Sequence, residues 1–305
     1  MKITAVIIAL NEEPFIRACI KAIYDFVHRI IIITNFDTDY WNRKLEPDGT
    51  VDAILSYPDA GRKIHLIVCR QIMDEVLQRN WAMHYDQGLH KMASLKFCPH
   101  AHTLSEIKAN FAKTDYFWII DADEIYDPAT IPDMIGFVAH SNGRNVLVRG
   151  YNYFKKWNYR INDGNAQFWQ LGFLKAGTRF YSRRTIYAPR VLGWLKYLNA
   201  YLSQFLREKW SALIKLPEET GCFYHGSYIG DDNRMIKKLS STSHARDQAP
   251  YAQKWMENVW KRWHPDMKNF YFPSMSNAFE SVDYIPTSNL PSSIRESNWP
   301  AGWLD

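Results

Sequence analysis

Four short, almost unbroken apolar runs constrain this chain more than anything else in it: "ITAVIIAL" at 3–10, "RIIIIT" at 29–34, "KIHLIVC" at 63–69 and "YFWII" at 116–120. Each has the length of a strand. A sheet with one wet face alternates apolar and polar side chains, so runs that are apolar on both faces point to a parallel sheet covered by helices on both sides. Helical patterns fill the gaps: Pro14–Phe26, with Pro14 early in the first turn where its missing N–H costs little, a short piece at Asp52–Tyr57, and Asp74–Met92. Ala93–Lys113 is ambiguous apart from a helical stretch from Ser105. Strands alternating with helices predict an α/β fold.

Ligands on such sheets sit beyond the carboxyl ends of the strands. Asn11–Glu12, Thr34–Asn35 and Asp121–Asp123 each follow a strand and are therefore expected along one edge. Two carboxylates at i and i+2 on a strand end can share a hard divalent cation and leave positions for phosphate oxygens. The competing role is a turn or helix cap, in which Asp and Glu satisfy backbone N–H groups. The strand context favours the ligand-facing role.

With 305 residues, 47% hydrophobic and 23% charged, the chain can bury a substantial core and is not disordered. Its formal charge of +5 is scattered, with pairs at Lys155–Lys156, Arg183–Arg184 and Lys237–Lys238. That pattern suits an anionic ligand or a membrane surface and lacks the single basic stripe of a nucleic-acid binder. Cys19, Cys69, Cys98 and Cys222 stand far apart, as expected of reduced thiols in a cytoplasmic protein. The N-terminus reads as a first strand rather than a secretory segment, and no window reaches the roughly 18 apolar residues of a membrane span, so membrane contact would be peripheral. Aromatic residues, 15% of the chain, crowd Tyr151–Trp210 and Tyr251–Phe272. They suit a core of large side chains or flat platforms in a sugar- or base-binding groove.

In order and approximate spacing, "AVIIALNEEPFIRACIKAI", "RIIIIT", "QRNWAM" at Gln78–Met83 and "FWIIDADEIYDP" resemble the family 2 glycosyltransferases of GT-A fold, in their "DADE" branch of bacterial surface-glycan type. The resemblance covers about residues 1–135 and loosens afterwards. It implies a Rossmann-like, mostly parallel sheet flanked by helices, with an aromatic-rich C-terminal extension. It also implies that Leu10, Asn11 and Glu12 contact a donor nucleotide and that Arg79 and Asn80 shape the donor site. Asp121 would lie near the ribose and metal, Asp123 on a Mn²⁺ or Mg²⁺ ion bridging the donor diphosphate, with Glu124 extending the pattern. His225 is the expected third metal ligand. The helix after it carries Arg234, Lys237 and Lys238, of which Lys237 is assigned to the diphosphate of the leaving group.

One departure concerns the nucleobase. The family commonly has an aspartate just after the second strand, whereas Thr34 and Asn35 lead here, leaving Asn35 or Asp37 as base reader. An inverting enzyme also needs a carboxylate base within reach of the acceptor hydroxyl. The His-Glu or Glu-Asp pair that related sequences supply is absent, and the candidates are Glu218, Glu219 and Asp163. "CPHAH" at Cys98–His102 invites a zinc reading but lacks a second ligand pair, and is better read as a loop with two histidines.

The expected organisation is a donor half at 1–135, an acceptor-side half at 136–245 and a C-terminal extension at 246–305 that wraps the domain. Val191–Leu216 has helical spacing of Leu195, Leu198, Leu202 and Phe205. It is either a core-facing helix or an interfacial one resting on an anionic membrane near a lipid-linked acceptor. The expected activity is metal-dependent transfer of a sugar, most simply with inversion, from a nucleoside-diphosphate sugar to a hydroxyl of a glycan or lipid-linked acceptor. Its setting would be bacterial lipopolysaccharide or capsule synthesis in the cytoplasm, at the inner face of the membrane. The alternatives are a phage-type enzyme acting on a modified DNA base, a catalytically silent glycan-binding module and, more weakly, a nucleotidyltransferase, since no Gly-rich phosphate loop precedes the first helix.

Overall fold

The computed structural model describes residues 1–35, 38–40, 43–69, 75–86, 97–99, 114–164, 167–182, 185–187, 213–241, 245–270 and 279–304. Asp37, Arg183–Arg184, the two histidines of "CPHAH", the stretch from Ser105 and residues 191–212 of the expected amphipathic helix lie outside them.

The first half follows the apolar runs. Strands β1 (Ile3–Ala9), β2 (Arg29–Asn35), β3 (Ile64–Cys69) and β5 (Tyr116–Asp121) lie in parallel in the order β3-β2-β1-β5, and β4 (Phe97–Pro99) adds antiparallel to β3. Their side chains divide strictly by parity. Ile3, Ala5 and Ile7 of β1 and Tyr116, Trp118 and Ile120 of β5 pack on one face, and Val6, Ile8, Phe117 and Ile119 on the other. Both faces are therefore buried, which is why these strands are apolar throughout.

Helix α1 (Glu13–Ile23) covers the first face with Phe15, Ile16, Cys19, Ile20 and Ile23. Pro14 occupies its first turn. Helix α3 (Glu75–Asp86) covers the second face with Ala82 and Met83. Between them α2 (Thr50–Leu55) packs beside α1.

Beyond β5 the sheet becomes mixed rather than mostly parallel. After the turn at Ala122–Asp123 come β6 (Glu124–Tyr126), α4 (Ile131–Ala139) and the 18-residue β7 (Asn145–Asn162). Strand β8 (Trp169–Lys175) pairs antiparallel with both β5 and β7 and so joins the halves. A separate hairpin, β9 (Arg179–Ser182) and β10 (Thr185–Tyr187), follows. Strand β12 (Cys222–Ile229) runs parallel to β7 and antiparallel to β6. Leu213–Lys215, expected at the end of an amphipathic helix, instead forms β11, parallel to β7. Leu213 and Ile214 are β-compatible residues, and the neighbouring strand edge offers them hydrogen bonds that a helix end would not.

Helices α5 (Asp232–Ser241) and α6 (Ala245–Trp255) follow β12. They close an aromatic cluster around the fully buried Phe154, whose ring meets Trp255, Trp260, Trp263, Phe270 and Phe279. Strand β13 (Ser281–Tyr284) adds antiparallel to β7. The chain then returns to the first half: α7 (Ser292–Arg295) packs on α1 and β6, and Trp299 and Trp303 each lie 5.4 Å from the Phe15 ring. Among the described residues no helix is long and apolar enough to cross a membrane.

Candidate active site

The acidic stretch lies where the chain leaves the parallel half. Ala122 N–H donates to Ile8 O at 3.0 Å, tying the turn to the end of β1, and Gly226 N–H donates to Asp123 O at 2.8 Å, tying it to β12. Pairing of β6 with β12 sets Glu124 opposite His225, so strand register brings the acids to the histidine. Gly226 is required at this crossing because a Cβ there would run into the Phe15 ring. Glu124 is buried and its Oε2 accepts the Asp121 N–H at 3.2 Å, a turn-stabilising role rather than an extension of the ligand set.

At the end of β1 the chain passes through Leu10, half-buried, and Asn11, whose φ of 57° is left-handed, a conformation that Asn tolerates better than most residues. Glu12 then starts α1: its carbonyl accepts from Phe15 and Ile16, and its N–H donates to Thr50 Oγ1 at 3.0 Å. Its buried carboxylate meets α5. Arg234 Nη2 donates to Oε2 at 2.9 Å and Lys238 Nζ to Oε1 at 2.9 Å; the same Nζ lies 2.5 Å from Asp123 Oδ2. Arg234 also donates to Ile229 O at 2.7 Å and covers the Phe15 ring.

Helix phase explains which cations arrive. Met235 and Leu239 are the buried pair one turn apart, which puts Arg234 and Lys238 on one flank of α5 and turns Lys237 away from the buried face. Lys237 instead donates to the backbone oxygen of Glu46 at 3.3 Å, an exposed contact, so the cation on the acidic motif is Lys238 rather than Lys237.

Burial pushes the Asp123 carboxyl up, but Lys238 and then His225 outweigh it and hold it well below the usual carboxylate range. For Glu12 the balance falls the other way: burial wins, the attraction of Lys238 opposes it, and the carboxyl is raised.

Arg79, fully buried on α3, donates to Asp121 Oδ1 at 2.9 Å and to Glu75 Oε2 at 3.2 Å. Its neighbour Asn80 spends both ends of its amide on the backbone of Phe180, at 3.0 and 2.9 Å, and so fastens α3 to β9 rather than offering groups to a ligand. Asn35 is buried at the end of β2; Gln78 Nε2 donates to its Oδ1 at 2.9 Å, and its Nδ2 has no partner among the described residues. Tyr40 belongs to the same edge: burial first, then the nearby Glu75 and Asp121, push its phenol well above the ordinary value. Nothing in its loop sequence marked it.

His225 shares a hydrogen bond through Nδ1 with Asn152 Oδ1 at 2.7 Å, stacks on Phe168 at 5.5 Å and holds Nε2 3.4 Å from Asp123 Oδ1. Of the three candidate bases, Asp163 is committed to structure: Arg149 grips it through two nitrogens at 2.8 and 2.9 Å, and it accepts the Phe168 N–H at 3.1 Å. Glu218 accepts the Tyr151 hydroxyl at 2.8 Å, and its side chain is 41% exposed. Glu219, next to it in a short 3₁₀ turn, makes no hydrogen bond among the described residues. Neither Asn152 nor Phe168 is marked in the sequence: the β7–β12 register sets Asn152 opposite His225, and the Gly150 N–H bond to Phe168 O holds that ring beside it.

A Mn²⁺ or Mg²⁺ ion held by Asp121, Asp123 and His225 does not fit this arrangement. Lys238 already neutralises Asp123 through Oδ2, His225 Nε2 faces its Oδ1 at 3.4 Å with no room for an ion between them, and Arg79 sits on Asp121. Among the described residues no group of three or more His, Cys, Asp or Glu side chains is arranged to hold a metal.

No curated protein matches the chain. Among solved structures, S. aureus TarS 1-349 in complex with UDP-GlcNAc is similar with a TM-score of 0.34 and 14% identity, over 50% of this chain and 35% of that one. S. aureus TarS 1-349 aligns over 86% of this chain and 74% of that one, with a TM-score of 0.38 and 13% identity. Glucosyl-3-phosphoglycerate synthase from Mycobacterium tuberculosis, in complex with Mn²⁺, UDP and phosphoglyceric acid, has a TM-score of 0.27 and 18% identity over 50% of this chain and 43% of that one. The chain thus spans well under half of the first of these structures and of the third. Residues 108–196, a span that contains β5, the acidic turn and β6, match the family model described as Glycosyl transferase family 2.

Proposed function

We propose that the chain is a glycosyltransferase of GT-A type that moves a sugar from a nucleoside-diphosphate sugar to an acceptor hydroxyl. The observation that carries this reading is the buried charge relay Glu12–Lys238–Asp123 at the carboxyl edge of the parallel strands, beside the Arg79–Asp121 pair. Ligands of open α/β sheets bind at that edge, and preorganised cations there stabilise charge that develops on a leaving diphosphate. The family 2 match over residues 108–196 agrees with it.

The donor's nucleoside end lies over β1 and β2 in this reading, near Asn11 and Asn35. Asn35, buried at the end of β2, stands where an aspartate commonly reads the base in the family. The acceptor oxygen bonds to the anomeric carbon as the bond from that carbon to the diphosphate breaks, with inversion. The electron pair leaves on the diphosphate, facing Lys238, Arg234 and Arg79. The acceptor proton passes to a carboxylate, for which Glu218 is the best-suited of the three candidates: Arg149 grips Asp163 through two nitrogens but lies 3.6 Å from Glu218, whose side chain stays 41% exposed.

Half-buried rings of Tyr151, Phe168 and Trp169 beside these groups suit a sugar-bearing acceptor, glycan or lipid-linked, as in surface-glycan assembly. The free Cys19, Cys69 and Cys222 suit a reducing, cytoplasmic setting, with any membrane contact peripheral.

The test is thermal stabilisation by UDP-, GDP-, CDP- and dTDP-sugars of the native chain and of Asp123→Ala. One donor at a hundred times its Kd is expected to stabilise the native chain by about 2.7 kcal/mol and to lose that effect in the variant. Absence of stabilisation by every donor would remove the donor site and the reading with it.

A further inference from the structure

A divalent ion needs carboxylate oxygens that are not already satisfied. Here two buried carboxylates, Glu12 and Asp123, face two largely buried cations, Lys238 and Arg234, so these four groups are neutral together without any added charge. The Lys238 side chain is only 16% exposed and bridges the end of β1 to the end of β5, 2.9 Å from Glu12 and 2.5 Å from Asp123. Arg234, one turn earlier, clamps the other Glu12 oxygen, so Glu12 cannot turn away from the ammonium. Swinging Lys238 out would leave Asp123 buried with only His225 beside it, a costly state. An ammonium has three N–H donors. Two are spent on Glu12 and Asp123, and the third has no partner among the described residues.

We propose that the Lys238 ammonium is the resident cation of this site and takes the place of a divalent metal, directing its remaining N–H to a phosphate oxygen of a nucleoside diphosphate. The inference rests on the reading of this edge as a donor site and deepens it. The chain then binds its nucleotide in the presence of a chelator, and Asp123 serves to position the ammonium rather than to ligate a metal. Removal of the lysine opens Glu12, Asp123 and His225 toward one another and turns the site into a metal-binding one.

Calorimetric titration with UDP, GDP, CDP, dTDP and ADP, each in EDTA and in Mn²⁺, tests this on the native chain, Lys238→Ala and Lys238→Arg. The expected result is that one diphosphate binds the native chain equally well in EDTA and in Mn²⁺. Lys238→Ala weakens binding in EDTA by about tenfold or more, the worth of one charge-assisted hydrogen bond. That variant recovers affinity in Mn²⁺ and binds Mn²⁺ alone, as read by the loss of the free-ion electron spin resonance signal. Lys238→Arg keeps metal-free binding, and it decides the question together with the native chain if Lys238→Ala does not fold. Binding by the native chain in Mn²⁺ but not in EDTA would overturn the role of Lys238 and leave the donor site standing. Absence of binding in both media would overturn the donor site itself, and this inference with it.

Discussion

Strands β1, β2, β3 and β5 run side by side in one direction, each paired to its neighbour without a register shift, while β7 gathers β8, β11, β12 and β13 in both directions and with shifts against β8 and β12. The first half is built from local alternation of strand and helix and delivers Asn11, Glu12, Asn35 and Asp121 to one edge simply by chain direction. The second half supplies what those residues need: His225 opposite Glu124 through strand pairing, and Arg234 and Lys238 on Glu12 through contacts more than 200 positions apart in sequence. The difference teaches that position and charge at this edge have separate origins. One half sets where the acids stand, and the other sets what they can do.

Four tests, with five substitutions, would break or sharpen that division. The largest effect is expected from Glu218→Gln, which should lower kcat of transfer by about 10²- to 10⁴-fold, the worth of a general base, while donor affinity in a binding assay stays unchanged. Equal activity in the variant would move the base elsewhere. Next, Phe154→Ala should cost about 3–5 kcal/mol in chemical denaturation by opening the aromatic cluster. Hydrogen exchange should then rise in α5 and α6 well before β1, β2 and β5, and uniform exchange across both halves would show them to be one cooperative unit.

The third test concerns pH. Asp123 has a folded pKa below its unfolded value of about 3.9, so its stabilising contribution is present above that value and lost as pH falls through the folded pKa. Glu12 has a folded pKa raised above about 4.3, so its contribution is present below that value and lost as pH rises through the folded pKa. Although both carboxylates touch the same ammonium, Asp123→Asn should therefore flatten the acid loss of stability in urea midpoints between neutral pH and pH about 3, and Glu12→Gln should steepen it. Slopes changing in the same direction would contradict the opposite environments of the two groups. The smallest effect belongs to Lys237→Ala, expected within about 0.5 kcal/mol of the native stability and without change in nucleotide affinity. A marked loss there would mean that the phase of α5 is wrong.

The parts of this molecule that could be read from its sequence are those whose information is local. The apolar runs of β1, β2, β3 and β5 give strand positions to within a residue because burial on both faces removes every ambiguity of period. Nothing comparable marks β7, whose 18 residues mix half-buried and buried positions, or Leu213–Lys215, whose apolar spacing fits a helix as well as the strand it joins. Lys238, rather than its neighbour Lys237, reaches the acids, and the buried pair Met235 and Leu239 holds the signal that separates the two. The expected metal rests on a different ambiguity. A pair of acids on a strand end reads the same whether its counter-charge is an ion or an ammonium from a helix 115 residues away. Asn80 shows the same limit, since its amide belongs to the backbone of Phe180, a partner 100 residues on.

The relay from Glu12 through Lys238 to Asp123 also fixes the order in which the molecule can mature. During synthesis at about 5–20 residues per second, the strands of the first half emerge on the order of ten seconds before the helix that carries Lys238. Through that interval two carboxylates destined for burial have no counter-ion, and their repulsion keeps the edge from closing. The ammonium thus arrives well after both of the acids it bridges.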